Sequence, residues 1–273
     1  MSAVIRCSTL PNWPDCERRG AAKAFRKDVI AAGFHLAGER QNIGAAVGIS
    51  VHKGASVTLI EKMQTGQVSP ESSALDAAVE TIRTEAHAGI IFDDETPNQN
   101  HAEKTVVRMV RTYRAYLEPE LEPIAVEERL EADAGNGIIL SGQSDLVARY
   151  KNRRLEDLKG GKWRGHYKPQ LGGYSLLVRT HNLPVDEVAE RWIKRVPLSK
   201  QQPEPQTFIH DQAGAEVAAL RTLHRIGEAI TAFRESGEPW EFLANPNSKL
   251  CSAKWCPAHG TNFCREHREG VER

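Results

Sequence analysis

Near residue 122 the hydrophobic pattern of the chain changes period, and that change limits the architectures open to it. Upstream, apolar residues recur three and four apart, as on one face of a helix: Leu75, Val79, Ile82 and Ala86, then Val106, Val110, Tyr113 and Leu117. Residues 14–32 and 45–63 read as two earlier helices, the second after Gly44 and Gly48. Downstream, residues 124–134 read as a strand, Gly135-Asn136-Gly137 as a tight turn, and 138–150 and 153–159 as two further strands around a turn at Lys151-Asn152. Residues 169–181 return to helical character, and 188–196 and 206–210 read as strands across a polar, proline-containing loop. A long amphipathic helix follows, carrying Val217, Leu220, Leu223, Ile226, Ile230 and Phe233. Helices, then a meander, then a helix and more strands predict an α/β fold with a mixed central β-sheet, flanking helices and a helical subregion early in the chain. The expected division is one domain over 1–273: a mainly helical part (1–120), a sheet core (121–212), a helix (213–236) and a cysteine-rich tail (237–273).

The second hairpin of the meander carries charge in a specific pattern. Positions 145 and 157 are symmetric about residue 151, so a turn there brings Asp145 opposite Asp157 to within about one residue. Directly opposed side chains stand roughly 4.5–5.5 Å apart at Cβ. Residues two apart on a strand share a face, so Lys159 projects with Asp157. Two carboxylates at that distance repel unless a cation lies between them. Oxygen ligands of this kind suit a hard divalent metal such as Mg²⁺, and a neighbouring lysine can orient a water or stabilise developing negative charge. A surface hairpin with scattered charges satisfies the same pattern.

Composition narrows the setting. Lys+Arg and Asp+Glu are both 36, so the formal net charge is zero and no global field advertises a polyanionic partner. A local basic cluster does occur, at Arg18, Arg19, Lys23, Arg26 and Lys27, and a solvated helix face is the commoner outcome for such a charge run. Arg108, Arg111 and Arg114 read as a solvated stripe. No stretch approaches the roughly 20 apolar residues of a membrane helix, and the first 30 residues lack a secretory core. The expectation is a cytoplasmic protein with no membrane partner. Five cysteines in such a compartment argue for metal or cluster ligation over disulfides. Cys251, Cys256 and Cys264 form C-x₄-C-x₇-C, and Cys16 lies far upstream. Four thiolates suffice for a 4Fe–4S cluster or for Zn²⁺. His259 and His267 lie close enough in sequence to keep a histidine-containing zinc site open.

Two weaker features accompany the hairpin. Gln170 and Tyr174, four apart, share a helix face and could meet a bound backbone. His52, read as lying near the start of a helix, could offer an imidazole to a metal.

The order His52, Glu127, Gly142-x-x-Asp145, Asp157-x-Lys159, Gln170-x-x-x-Tyr174 resembles the RecB-type branch of the PD-(D/E)xK nuclease superfamily. The enclosing cysteines resemble those of its iron–sulfur members: AddB-type helicase–nuclease subunits, CRISPR adaptation exonucleases and phage recombination exonucleases. The likeness spans about residues 7–267. It implies a restriction-endonuclease-like sheet and Mg²⁺- or Mn²⁺-dependent hydrolysis of DNA, as an exonuclease of recombination or repair, of phage type, working with a recombination partner protein. It further implies metal ligation by His52, Asp145, Asp157 and the Leu158 carbonyl, and catalysis by Lys159 with Glu127. Substrate contacts would come from Gln170 and Tyr174, and a 4Fe–4S cluster would be held by Cys16, Cys251, Cys256 and Cys264, with Zn²⁺ as the alternative. Glu128 competes with Glu127: the family's spacing favours Glu127, whereas Glu128 shares strand parity with Val126 and Leu130. A non-catalytic, metal-stabilised DNA-binding or assembly module remains the rival function, and Cys7 has no place in the pattern.

Overall fold

A computed structural model describes residues 3–38 and 41–264; His267 lies outside them. Strand β1 (Ala3–Arg6) leads through a 3₁₀ turn (Cys7–Asn12) into helices α1 (Glu17–Ala24) and α2 (Arg26–Ala31). The single helix expected over 14–32 is broken at Phe25, which turns inward to stack among Trp13 and Phe242. A short strand β2 (Gln41–Asn42) pairs with β3 (Ile90–Ile91), and between them run α3 (Ile43–Thr65) and α4 (Glu71–His87). Asn42 caps α3 by accepting from the Ala45 amide at 3.0 Å, and Gly66 ends it in the left-handed conformation at φ +78°. Next come α5 (Gln99–Ala115), β4 (Glu122–Asp133), β5 (Ile138–Arg149), β6 (Arg153–Gly161), α6 (Lys168–Thr180), β7 (Glu187–Lys194), β8 (Gln206–His210) and α7 (Gln212–Ser236).

The mixed α/β architecture expected from the period change is the one observed, with a six-stranded sheet between two helical layers. One face packs against α1, α2, α6 and α7 through Ile5, Leu140, Val147, Leu155, Leu171 and Ile226. The other packs against α3, α4 and α5 through Leu146, Ala148, Leu158, Val51, Val106 and Met109. Adjacent residues 146 to 148 alternate between the two cores, as the two-residue period of a strand requires.

The pairing of β5 decides where the molecule opens. One edge of β5 carries antiparallel β4 from Ile139 to Arg149. Its other edge is divided: β1 runs parallel to residues 138–141, and β6 runs antiparallel to residues 146–149. Between these partners, residues 142–145 have no strand on that edge, so the sheet forks there. Beyond Glu156, β6 leaves β5 and continues only along β7, to which it is parallel. The sequence reading had no strand at 3–6, and without β1 the fork does not exist.

Three expectations change. By length and mean hydropathy (1.4), α3 could cross a membrane, contrary to the reading that no segment could, but 56% of that window is buried inside the protein against α4, α5 and the sheet. Arg108 and Arg114 are staples, not a solvated stripe. Arg108 donates to the carbonyls of Val196, Pro197 and Lys200, and Arg114 to Thr58 Oγ1 at 2.7 Å and to Ser69. Arg18 and Arg19 of the basic cluster are likewise buried, Arg18 on the carbonyls of Pro239 and Phe242, and Arg19 on Asp15 and Ser248.

One ion pair ties the segment before α5 to the end of β7. Arg195 reaches Asp93 at 2.6 Å and Thr96 at 2.7 Å, and Lys162 reaches Asp93 at 3.3 Å. Burial works to raise the Asp93 carboxyl, but the two cations hold it down at about 2, against an unfolded value of about 3.9. A depressed folded value means stability that is present above the unfolded pKa and lost as pH falls through the folded one. Asp93→Asn is expected to lower unfolding free energy by about 2 kcal/mol at pH 7. In urea titrations the gap from wild type should close between about pH 4 and pH 2; a gap independent of pH would show that the ion pair is not its source.

Candidate active site

The fork exposes a cleft of about 870 Å³. Its walls include the end of β1 (Arg6), α3 (Gly44, Gly48, His52, Lys53), β4 (Glu127, Arg129), the unpaired stretch of β5 (Gly142, Gln143, Asp145) and β6 (Lys159, Gly160). At its inner end the hairpin acids meet. The β5–β6 register, in which Leu146 faces Glu156, extrapolates to Asp145 opposite Asp157. The ladder stops one step short, and the amide of Leu158 instead donates to Asp145 Oδ2 at 2.7 Å. His52 Nδ1 lies 2.9 Å from Asp145 Oδ1. Lys159 Nζ lies 2.6 Å from Asp157 Oδ2 and donates to Gln170 Oε1 at 3.2 Å. Gln170 Nε2 in turn donates to Asp157 Oδ1 at 3.2 Å and to the Tyr174 hydroxyl at 3.1 Å.

These contacts fix the charge states. Burial alone raises Asp145, but His52, Lys159 and the Leu158 amide outweigh it and hold the carboxyl below its usual range. Asp157, deeper and only 2% exposed, is pushed up to about 6 by burial, with the Asp145 charge adding to the effect and Lys159 opposing it. Burial opposes the charge on Lys159, yet Asp157 and Asp145 prevail and raise its pKa, so the ammonium stays protonated at neutral pH. His52 is raised in the same way, Asp145 outweighing burial. Glu127 is raised by burial and by Asp145.

Glu127 reaches this site through a local irregularity. Its φ is +49°, in the left-handed region that costs a non-glycine residue of order 1 kcal/mol or more. Over this stretch both paired strands change face: Val126 and Leu146 pack into the α3–α5 core, whereas Leu130 and Leu140 pack into the α6–α7 core. Glu127 consequently lines the cleft, while Glu128, paired with Ser144, is exposed. The parity argument for Glu128 assumed a regular strand and fails for that reason.

Of the residues expected to act together, His52 on α3, Glu127 on β4, Asp145 on β5 and Lys159 on β6 line the cleft, and Asp157 and Leu158 lie beside them on β6. His52 lies in the third turn of α3, further in than the expected helix start. Gln170 and Tyr174 share the expected face of α6, but Gln170 is 3% exposed and its amide is taken up by Asp157, Lys159 and Tyr174; Tyr174 lines the cleft. Tyr167, absent from the sequence reading, places its ring 4.5 Å from Lys159 Nζ, a cation–π contact. Cys7 is fully buried against Gly142 and Gly173 and serves packing.

Room and donors for an ion can be judged from the residues. Among the described residues no three His, Cys, Asp or Glu side chains converge on one point as a ready metal group; His52 and Lys159 lie against the two aspartates instead. Beside them lies a cavity of about 10 Å³, room for one occupant of water or ion size; His52, Glu127, Asp145 and Glu156 face it together with apolar Ala55, Leu59, Leu146 and Leu158. Asp157 Oδ2 is buried and, apart from the Lys159 ion contact, accepts no hydrogen bond. Oxygen donors with one imidazole suit a hard or borderline divalent cation.

A second group forms where the chain ends meet. Cys16, at the start of α1, and Cys251, Cys256 and Cys264 line one cavity of about 60 Å³ with Arg18, Arg19 and His259. The Asn245 amide donates to Cys16 Sγ at 3.4 Å. A single zinc ion needs thiolates gathered about 2.3 Å from one centre, and no three of the described ligands are so gathered.

No family model matches the chain, and no curated protein matches it. Among solved structures it is similar to an exonuclease candidate from Eubacterium rectale, at 12% identity over 91% of this chain and 87% of that one, with a TM-score of 0.51. A second, SSO0001, aligns over 82% of this chain and 77% of its own at 12% identity and a TM-score of 0.34, too loose a likeness to fix a fold.

Proposed function

We propose that the chain is a divalent-metal-dependent nuclease of the PD-(D/E)xK type, acting on DNA as an exonuclease. The observation that carries this reading is the fork in the sheet, whose open cleft is lined by His52, Glu127, Asp145 and Lys159 from four elements, with Asp157 buried against Lys159 behind it. The Eubacterium rectale structure, an exonuclease candidate, shares the fold over most of both chains and supports the reading at the level of fold alone. Mg²⁺ or Mn²⁺ would be held by Asp145 and Asp157, with Glu127, His52 and the Leu158 carbonyl completing the set. Bound there, the ion supplies an acidified water and neutralises phosphate oxygens. Lys159 stays cationic and aims its charge at the scissile phosphate, acting by orientation and electrostatics. Gln170 acts through its neighbours: one amide fixes Asp157 and Lys159 relative to each other. Tyr174 lines the path of the substrate.

Cys16, Cys251, Cys256 and Cys264 would hold a 4Fe–4S cluster that clamps α1 to the C-terminal segment, with buried Arg18 and Arg19 offsetting its negative charge. The role in recombination or repair, the phage-type setting and a recombination partner rest on the resemblance of the motifs.

The test is end-labelled single- and double-stranded DNA with Mg²⁺, Mn²⁺ or chelator, run beside iron, sulfide and zinc analysis of the purified protein. Metal-dependent release of nucleotides from ends is expected, with closed circular DNA resistant. Cleavage of no substrate under any metal would favour the non-catalytic DNA-binding module. Cys256→Ala is expected to remove bound iron and visible absorbance and to lower the thermal midpoint; a colourless wild type with stoichiometric zinc would replace the cluster but leave the nuclease standing.

A further inference from the structure

The cleft does not end at its catalytic residues. Arg6, the last residue of β1, lines both the cleft and a second groove of about 480 Å³, whose other walls are Val4, Thr9, Lys23, Ala24 and Lys27. Arg6 pairs with Ser141, the point at which β1 stops and the free edge of β5 begins. The groove is therefore the outer continuation of the fork, running between β1 and the α1–α2 helices. Arg6, Lys23 and Lys27 are all exposed, and among the described residues no carboxylate lines the groove. Among the described residues none of the three forms an ion pair, nor do Lys53 and Arg129 on the cleft walls.

The rest of the basic cluster is spoken for: Arg18 and Arg19 are buried on carbonyls, Asp15 and Ser248, and Arg26 donates to the carbonyls of Leu36 and Ala37. In a chain whose charges balance overall, three free cations along one acid-free channel are a local excess. An array of cations without partners, leading into a site where phosphate chemistry is proposed, matches a polyanion extended in one direction.

We infer that the groove formed by Arg6, Lys23 and Lys27 holds the sugar–phosphate backbone of the nucleic-acid strand beyond the scissile bond, with Arg6 as the contact shared by groove and cleft. The inference rests on the nuclease reading and names the path of its substrate. Contacts to phosphate position a strand without reading its sequence, so the groove sets affinity and salt dependence rather than base preference.

The experiment measures binding apart from cleavage. Full-length wild type, Lys23→Gln/Lys27→Gln and a charge-matched control, Lys104→Gln/Lys200→Gln, are titrated in chelator against labelled DNA of about 16 nucleotides, single-stranded in one arm and duplex in the other. Lys104 and Lys200 line neither groove nor cleft. For the groove variant, the slope of log K against log salt should become shallower by about 1.4 for a single strand or about 1.8 for a duplex. The arm that shows the loss identifies the form of strand held. A loss independent of base sequence supports the inference, and a slope equal to that of the control in both arms overturns it. The nuclease reading fails separately, on absence of metal-dependent cleavage by wild type, and its failure leaves the binding result readable.

Discussion

Lys159→Ala should abolish metal-dependent DNA cleavage, with a loss of at least about 10²–10³ in turnover, the scale seen when one preorganised electrostatic contact to a transition state is removed. The ammonium sits 2.6 Å from Asp157 and 3.2 Å from Gln170, on the face of β6 that looks into the cleft. Its removal has a second consequence. Asp157 is almost fully buried and already raised to about 6 with Lys159 present. Without the lysine its charge is uncompensated, and breaking such a buried pair costs about 3–5 kcal/mol. An inactive Lys159→Ala protein could therefore be inactive through loss of fold. Lys159→Arg separates the two effects. It keeps a cation against Asp157, so its thermal midpoint should stay near that of wild type, but its planar fork cannot occupy the position of a compact ammonium, and cleavage should still fall. DNA affinity in chelator should change little in either folded variant, because the groove cations remain. Wild-type cleavage rates in both variants would remove Lys159 from the mechanism.

Gly172→Ala is expected to have the largest effect on stability. A Cβ at position 172 would run into the carbonyl of Ala215 and the amide of Glu216, backbone atoms of α7 that no rotamer change can move aside. The two helices can approach only because residue 172 has no side chain. Forcing them apart should cost about 3 kcal/mol or more, at or above the usual range for overpacking. The effect reaches the site because α6 is turned to three uses. Gly172 faces α7, Gly173 lies against Cys7 and Leu10, and Gln170 with Tyr174 faces Asp157 and Lys159. A displaced α6 withdraws the amide that holds Lys159 against Asp157. Chemical denaturation should show the lower midpoint, and any folded fraction should show reduced turnover with its metal requirement intact. Gly142→Ala offers a comparison: its Cβ would lie 2.7–2.9 Å from side-chain atoms of Leu177, Cys7 and Tyr174. Those neighbours can give a little, so the destabilisation should be smaller.

The amino-acid sequence by itself determined the elements and the hairpin. Period and turn residues place α3, the meander, α6 and α7 within a few residues of their observed bounds and mark α4 and α5 by their apolar positions, because local sterics and amphipathic spacing act over short stretches of chain. The symmetry of positions 145 and 157 about the turn follows from the two-residue repeat of a strand, and the face shared by Gln170 and Tyr174 follows from the helical repeat. Tertiary structure alone decided the rest. The fork depends on β1 pairing with β5 across more than 130 residues of chain, and four residues at 3–6 carry no periodic signal long enough to announce it. That Glu127 lines the cleft and Glu128 does not goes with an irregular stretch, φ +49° at Glu127, over which β4 and β5 both change face, and strand parity cannot express it. The division of the basic cluster into buried staples and free groove cations depends on what lies opposite each side chain. Charge is written in the sequence, but whether a charge is neutralised, buried or left to meet a ligand is settled only when distant segments come together.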